Sequence, residues 1–110
     1  MTIAQAQSIV SKAVKLITNW EAHDRYKTKD SVSKLKELEA AVCTHQMAKA
    51  MRICARPDLD NAMSQAEAAA IIFKTAKSWQ RWENHTSPIS LGDICHFLLA
   101  TQLMEPISRD

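Results

Sequence analysis

Residues 64–83, with the sequence SQAEAAAIIFKTAKSWQRWE, are predicted to form two short helices joined by a tight turn. The segment opens with Ser64-Gln-Ala-Glu67, a capping box that satisfies the first backbone donors of a helix. After the turn, Trp79 and Trp82 lie three residues apart and therefore share one helical face. Polar and basic residues take the opposite face. Two helices that meet this closely constrain the fold more than any other feature of the chain.

The composition also favours helices. The 110 residues are enough for one domain with one modest core, and 46% of them are hydrophobic. The chain has one glycine and three prolines, which leaves few turn-formers for a many-stranded sheet. We therefore predict an all-α fold, a compact domain of about five helices that contains a helix-turn-helix and has extra N-terminal helices.

The N-terminal part has its own helical pattern. Thr2-Ile-Ala-Gln5 is another capping box, and it predicts a helix that runs to about residue 24, followed by a connection over residues 26–30. An apolar stripe with spacings of three and four follows this helix; its members are Ile3, Ala6, Val10, Ala13, Ile17 and Trp20. Asp30 or Ser31 is expected to cap the next helical region. That region is either one long helix or two helices with a break near Thr44, because its apolar stripe drifts after Val42.

Two regions follow from these patterns. Residues 1–45 are predicted to form N-terminal helices for dimerisation or partner binding, and residues 46–105 a helix-turn-helix domain, the two forming a single compact unit. A loop is expected over residues 56–61, because Pro57 ends the preceding helix. Ser90 is expected to cap a last helix with apolar residues Leu91, Ile94, Phe97, Leu98 and Leu103.

Helix-turn-helix geometry needs a small residue where the two helices cross and apolar residues beneath the second helix. Ala69 meets the first need, and Ile72, Trp79 and Trp82 meet the second. Residues 64–84 resemble the Cro/repressor-like (XRE-type) helix-turn-helix family, and most of all its small phage and plasmid regulators. The matching residues are Ser64-Gln65-Ala66-Glu67, Ala69, Ile72, Thr75, Ser78-Trp79 and Arg81-Trp82-Glu83-Asn84. The resemblance does not cover residues 1–45.

The resemblance implies a set of DNA-binding residues: Gln65, Lys74, Thr75, Ala76, Lys77, Ser78, Gln80 and Arg81. It implies that Gln65 bonds a phosphate and that Thr75 caps the second helix and touches the DNA backbone. It places Ala76, Lys77 and Arg81 at base-reading positions and Ser78 at a phosphate or a base. Lys77 and Arg81 suit the acceptors of guanine, and Ala76 suits the methyl group of thymine. Glu83 would be structural, closing on nearby backbone or on an arginine.

Two departures from the family pattern concern the backbone. The family has glycine where this chain has Phe73, and often glycine where it has His85. An aliphatic residue usually stands at the position of Lys74. Phe73 is therefore expected either to accept the turn conformation with some strain or to accompany an altered turn.

The predicted function is that of a sequence-specific DNA-binding transcriptional regulator, a repressor that binds a palindromic operator in double-stranded DNA as a homodimer. Either the Ile3–Trp20 stripe or the Leu91–Leu99 helix would supply the dimer contact. The alternative is a protein-interaction module, antitoxin-like or an adaptor, that binds a partner through its N-terminal helices. RNA binding is a third alternative.

Other functions are disfavoured. The net charge is only +2, but residues 1–56 hold ten Lys or Arg against five Asp or Glu, so a basic front could follow phosphates. No apolar run resembles a signal peptide or a membrane span, which predicts a cytoplasmic protein with no membrane partner. Cys43, Cys54 and Cys95 are expected to be reduced thiols. Their spacing to the histidines fits no zinc site or nucleophile pair, so no metal, cofactor or enzymatic activity is expected.

Overall fold

The computed structural model describes residues 1–21, 31–56 and 63–105, and all regular structure in these ranges is helical. The predicted all-α fold is confirmed, with six helices where about five were expected. They are α1 (Ile3–Asn19), α2 (Ser31–Val42), α3 (His45–Cys54), α4 (Gln65–Ile71), α5 (Ala76–Glu83) and α6 (Leu91–Ala100). None of these helices combines the length and the apolar composition needed to cross a membrane.

Side-chain caps start most of these helices. The hydroxyls of Thr2, Thr44, Ser64, Thr75 and Ser90 each accept a hydrogen bond from the backbone N–H three residues later. At Thr2 the box is complete, since its own N–H donates to Oε1 of Gln5 at 2.8 Å. The cap expected at Asp30 or Ser31 lies outside the described residues and side chains.

The open question between one long helix and two is settled in favour of two. α2 ends at Val42 and α3 begins at His45, with Thr44 as its N-cap, which is where the apolar stripe drifts. α1 is bounded at Asn19, and the helical backbone continues through Trp20 and Glu21 with π-type hydrogen bonding. The predicted end near residue 24 lies outside the described ranges. The connection predicted over residues 26–30 and most of the loop over 56–61 also lie outside them.

The apolar stripe of α1 is buried within its own chain. Ala6, Val10, Ala13 and Ile17 are all buried, and α1 packs mainly on α3. Only the two ends of the stripe reach the surface, at Ile3 and at the half-buried Trp20. Because its centre is already covered by α3, the stripe cannot also pair with a second copy. One of the two predicted dimer contacts is therefore wrong.

The core extends from α1 to α6. Trp79 of α5 and Phe97 of α6 are fully buried, with ring centroids 5.1 Å apart. α5 packs on α3 and α4, and α6 packs on α3, so α3 is central to the fold. α2 contributes only Leu38 and Val42 to the buried set. Leu103, expected in the last helix, instead lies in the turn after α6 and is half-buried.

Candidate nucleic-acid interface

α4 and α5 pack against each other across a short turn. Ala69 is completely buried on α4, and Ile72, Trp79 and Trp82 are buried beneath α5. The predicted roles of these four residues, one small residue at the contact and three apolar supports, agree with this packing. Trp79 and Trp82 also pack against each other, with ring centroids 5.2 Å apart and ring planes inclined by 57°.

The turn closes with a Schellman motif. The N–H of Lys74 donates to the carbonyl of Ala69 at 2.9 Å, and the N–H of Phe73 donates to the carbonyl of Ala70 at 3.2 Å. The motif needs a left-handed residue after the helix, and Phe73 supplies it with φ 58°. Of the two outcomes expected for Phe73, acceptance of the turn conformation is therefore the one observed.

Seven of the eight predicted DNA-binding residues lie on α5 or in the two residues before it, and the eighth, Gln65, lies on α4. We define the reading face as the six that are exposed: Lys74, Thr75, Ala76, Lys77, Gln80 and Arg81. Ser78 is half-buried, as is Gln65 at the first position of α4. The tryptophans on the opposite side of α5 fix which side faces outward.

The start of α5 is organised by two hydroxyl groups. Oγ1 of Thr75 accepts from the backbone N–H of Ser78 at 3.2 Å, and it lies 3.1 Å from Oγ of Ser78. Thr75 thus acts as the predicted cap. The first-turn N–H groups of a helix carry partial positive charge, which attracts anions. Lys77 adds an exposed ammonium group next to this end.

A network of hydrogen bonds around Glu83 anchors the other end of α5. Its carboxylate accepts from Nε and a terminal nitrogen of Arg52, both at 2.9 Å, and from Nε1 of Trp79 at 2.7 Å. The second terminal nitrogen of Arg52 donates to the carbonyl of Met63 at 2.9 Å. The structural role expected for Glu83 is confirmed, with Arg52 as its partner. This network ties α5 to α3 and to the residue before the α4 cap.

Charges beside the reading face modify its potential. Nζ of Lys74 lies 4.0 Å from a carboxylate oxygen of Asp93, at the start of α6, so part of its charge is neutralised. Arg56 and Glu67 form an exposed ion pair near the start of α4. Arg56 and Ser64 lower the pKa of Glu67 by hydrogen bonding to its carboxylate. Lys77 and Arg81 are therefore the most prominent cations of the face.

A second left-handed turn follows α5. His85 has φ 64°, and the N–H of Thr86 donates to the carbonyl of Arg81 at 3.0 Å. The His85 ring stacks on the ring of His45, the first residue of α3, with centroids 3.4 Å apart. Sequence reasoning noted the missing glycine at this position but gave no signal for the histidine stack, since 40 residues separate the two rings.

The three cysteines are free thiols, as expected. Burial raises the pKa of Cys43 to about 11, with smaller contributions from Glu39 and Cys95. Burial also raises the pKa values of Cys54 and Cys95. Across residues 1–21, 31–56 and 63–105, no group of three or more His, Cys, Asp or Glu side chains is arranged to hold a metal ion.

Comparison with models of known protein families, with curated proteins and with solved structures finds no match to this chain. The likeness of residues 64–84 to the XRE-type family therefore stays a prediction from their sequence.

Proposed function

We propose that this chain is a cytoplasmic, sequence-specific DNA-binding protein that places α5 in the major groove and represses transcription as a pair of copies on a palindromic site. The observation that carries the proposal is the two-sided character of α5. Its buried side carries two tryptophans, and its outer side carries the reading face. An α-helix with its side chains is about 10–12 Å in diameter, so α5 fits a major groove about 12 Å wide.

The anchoring of α5 supports the same proposal. A helix that reads bases must keep its orientation, because a base contact depends on hydrogen-bond geometry. Two part-buried hydrogen bonds from Arg52 to Glu83 fix the end of α5 on α3, and a third, from Trp79, holds the Glu83 carboxylate within α5. Charge-assisted bonds of this kind are stronger than neutral ones. The reading face therefore projects from a rigid support.

The proposed roles divide the face into two groups. Arg81 and Lys77 are proposed to read guanine edges, and Ala76 to contact a thymine methyl. Thr75, Ser78 and Gln65 are proposed to bond phosphates near the first turns of α5 and α4. Gln80 contacts a base or the backbone beside Arg81. Lys74 is the weakest member, because Asp93 lies 4.0 Å from its ammonium group.

The test is selection of duplexes from a random DNA pool by the full chain, followed by fluorescence anisotropy on the selected duplex and on a scrambled one. We expect tight binding to the selected duplex, well above the scrambled one at every salt concentration in a series. Weak, equal binding to both duplexes that disappears with salt would reject sequence-specific recognition.

Two variants distinguish base recognition from general electrostatic attraction to the DNA phosphates. Arg81→Ala should weaken binding to the selected duplex by about 1–3 kcal/mol while leaving binding to scrambled DNA nearly unchanged. Lys15→Ala, an exposed lysine on α1, is the matched control and should change neither. An equal loss on both duplexes would make Arg81 a phosphate contact.

Protein binding through the N-terminal helices is a second candidate function, and one observation favours it. A cavity of about 290 Å³ lies between α1, α2 and α3, with Ile9, Leu16, Ala41 and Val42 among its lining residues. Leu16, one of the lining residues, is 36% exposed, so the cavity presents apolar surface to a partner. Two results together would favour this function. DNA binding would be absent or unselective, and a protein partner would bind the wild-type chain but not the Leu16→Asp variant.

A further inference from the structure

A carboxylate lies beside the reading face, although none of the predicted DNA-binding residues is acidic. Asp93 is the third residue of α6, and an oxygen of its carboxylate lies 4.0 Å from Nζ of Lys74. The side chain of Asp93 is 22% exposed and that of Lys74 is 45% exposed, so solvent or a phosphate can approach both. Because DNA is a polyanion, a carboxylate at this position affects how the face meets phosphates.

The backbone on each side of this ion pair is held in place. The N–H of Lys74 donates to the carbonyl of Ala69 at 2.9 Å, in the turn before α5. The N–H of Asp93 donates to Oγ of Ser90, the N-cap of α6, at 3.1 Å, and the next residue, Ile94, is fully buried. The first turn of a helix also favours a negative charge. The carboxylate is therefore kept near Lys74 by the fold, and not by the ion pair alone.

A phosphate bound to Lys74 would also meet Asp93. A hydrogen-bonded phosphate oxygen lies about 2.9 Å from the donor nitrogen, so in the observed geometry it would lie within about 7 Å of the Asp93 carboxylate. This separation is shorter than the Debye length of about 10 Å at 0.1 M salt. The carboxylate therefore opposes the attraction between the ammonium group and the phosphate.

The other two cations of the reading face have no such neighbour. In the described part of the chain, neither Lys77 nor Arg81 forms an ion pair. We propose that Asp93 limits the affinity of the reading face for DNA phosphates by opposing Lys74, so that Lys77 and Arg81 supply most of its attraction. This inference rests on the proposed function, since it concerns how the same face meets DNA.

The experiment is a double-mutant cycle of the full chain, with Asp93→Asn, Lys74→Gln and both substitutions together. Fluorescence anisotropy measures the affinity of each variant for the selected duplex and for the scrambled one across a salt series. Asp93→Asn should tighten binding to both duplexes about three- to tenfold near 0.1 M salt, because it restores up to one phosphate contact. The slope of log K against log salt should steepen by up to about 0.9.

Lys74→Gln shows whether Asp93 acts through Lys74. In the wild-type background it should change the affinity for either duplex by less than about twofold, because the carboxylate already opposes this charge. In the Asp93→Asn background the same substitution should remove the gain. Glu37→Gln, at an exposed position beside the cleft between α1 and α2, removes the same formal charge and is the control. It should change binding to either duplex by less than about twofold.

Four results would overturn the inference. They are unchanged binding by Asp93→Asn, an equal loss from Lys74→Gln in both backgrounds, a gain that survives in the double variant, and a gain on the selected duplex alone. The last would indicate a base contact, because phosphate contacts are independent of sequence.

Failure of the proposed function would look different. Equal binding of the wild type to both duplexes would reject sequence-specific recognition, while the cycle on the scrambled duplex would still support or overturn the role of Asp93. Absence of binding to either duplex would reject both ideas.

Discussion

The turns at the two ends of α5 share a left-handed backbone conformation but place different side chains in it. The turn before α5 closes with both Schellman hydrogen bonds, and the turn after it closes with the bond from the N–H of Thr86 to the carbonyl of Arg81. Both turns contain a left-handed residue. Phe73 takes this conformation at φ 58° and His85 at φ 64°. The single glycine of the chain is Gly92, which lies elsewhere, so neither turn has the residue that adopts the conformation most easily.

The surroundings of the two residues differ. His85 lies two residues after Glu83, and its ring packs on the ring of His45 in α3. The side chain of His85 therefore makes a contact within the fold, while its left-handed backbone is strained. The Phe73 ring faces solvent apart from its approach to His96. The left-handed residue after α5 therefore has a close ring contact within the chain, whereas the one before α5 has an exposed ring that approaches only His96.

The largest expected effect tests the anchored end. Glu83→Gln removes the charge that faces Arg52, whose side chain is only 16% exposed, and leaves a partly buried guanidinium without its counter-charge. We expect the free energy of unfolding to fall by about 3 kcal/mol, near the low end for a broken buried pair. Urea denaturation measures the change. Glu39→Gln, on the exposed surface of α2, is the control and should stay within about 0.5 kcal/mol of the wild type.

A double variant shows whether the pair or its apolar surroundings stabilise this end. Arg52→Met combined with Glu83→Leu replaces both charges with apolar groups, which often restores much of the loss. We expect the double variant to be more stable than Glu83→Gln. If Glu83→Gln alone unfolds like the wild type, the description of this end as anchored is wrong.

The next effect tests the strained end. Phe73→Gly should raise the free energy of unfolding by about 0.5–1 kcal/mol, because relief of the left-handed strain exceeds the added entropy of the unfolded glycine. The exposed ring has little packing to lose. Gln102, with φ 62° after α6, offers a third left-handed position, and Gln102→Gly should give a similar gain. A loss of stability in Phe73→Gly would mean that the ring packs in the monomer.

A smaller effect is expected for His85→Gly. The backbone relief equals that at Phe73, but the substitution also deletes the stack on His45, and aromatic pairs contribute about 0.5–1.5 kcal/mol. We expect the two terms to cancel to within about 0.5 kcal/mol in thermal or urea unfolding. A gain as large as that of Phe73→Gly would show that the stack contributes nothing, and the contrast between the two ends would disappear.

The helix caps and the buried face of α5 could be predicted from the sequence because their signals are local. The caps at Thr2, Ser64 and Ser90 are each specified within three residues and appear as predicted. The cap at Thr75, which the family resemblance implied, also appears. The tryptophan face of α5 also follows from spacing alone. These signals were enough to predict the outer side of α5.

Contacts between residues far apart in the chain could not be predicted from the sequence. Arg52 and Glu83 are 31 residues apart, and no pattern in the chain pairs them. The α1 stripe predicted an apolar partner, but spacing cannot tell whether that partner is α3 or a second copy. The left-handed turn at Gln102 had no signal either, because the usual marker of such a turn is glycine. At Phe73 and His85 the only signal was the resemblance to a family that has glycine at these positions.

The smallest effect compares the exposed Arg–Glu pair with the anchored one. Glu67 pairs with Arg56 at the surface, and this pair and Ser64 hold the pKa of Glu67 below its usual value of 4.5. A carboxylate with a lowered folded-state pKa stabilises the fold above pH 4.5, and that contribution is lost as the pH falls through the folded-state pKa. Melting temperatures from pH 6 down to about pH 3 should therefore fall slightly more in the wild type than in Glu67→Gln. Identical profiles would show that the ion pair contributes nothing to the stability of the fold. A loss from Glu67→Gln as large as that from Glu83→Gln at neutral pH would show that solvent does not screen this pair as its exposure requires.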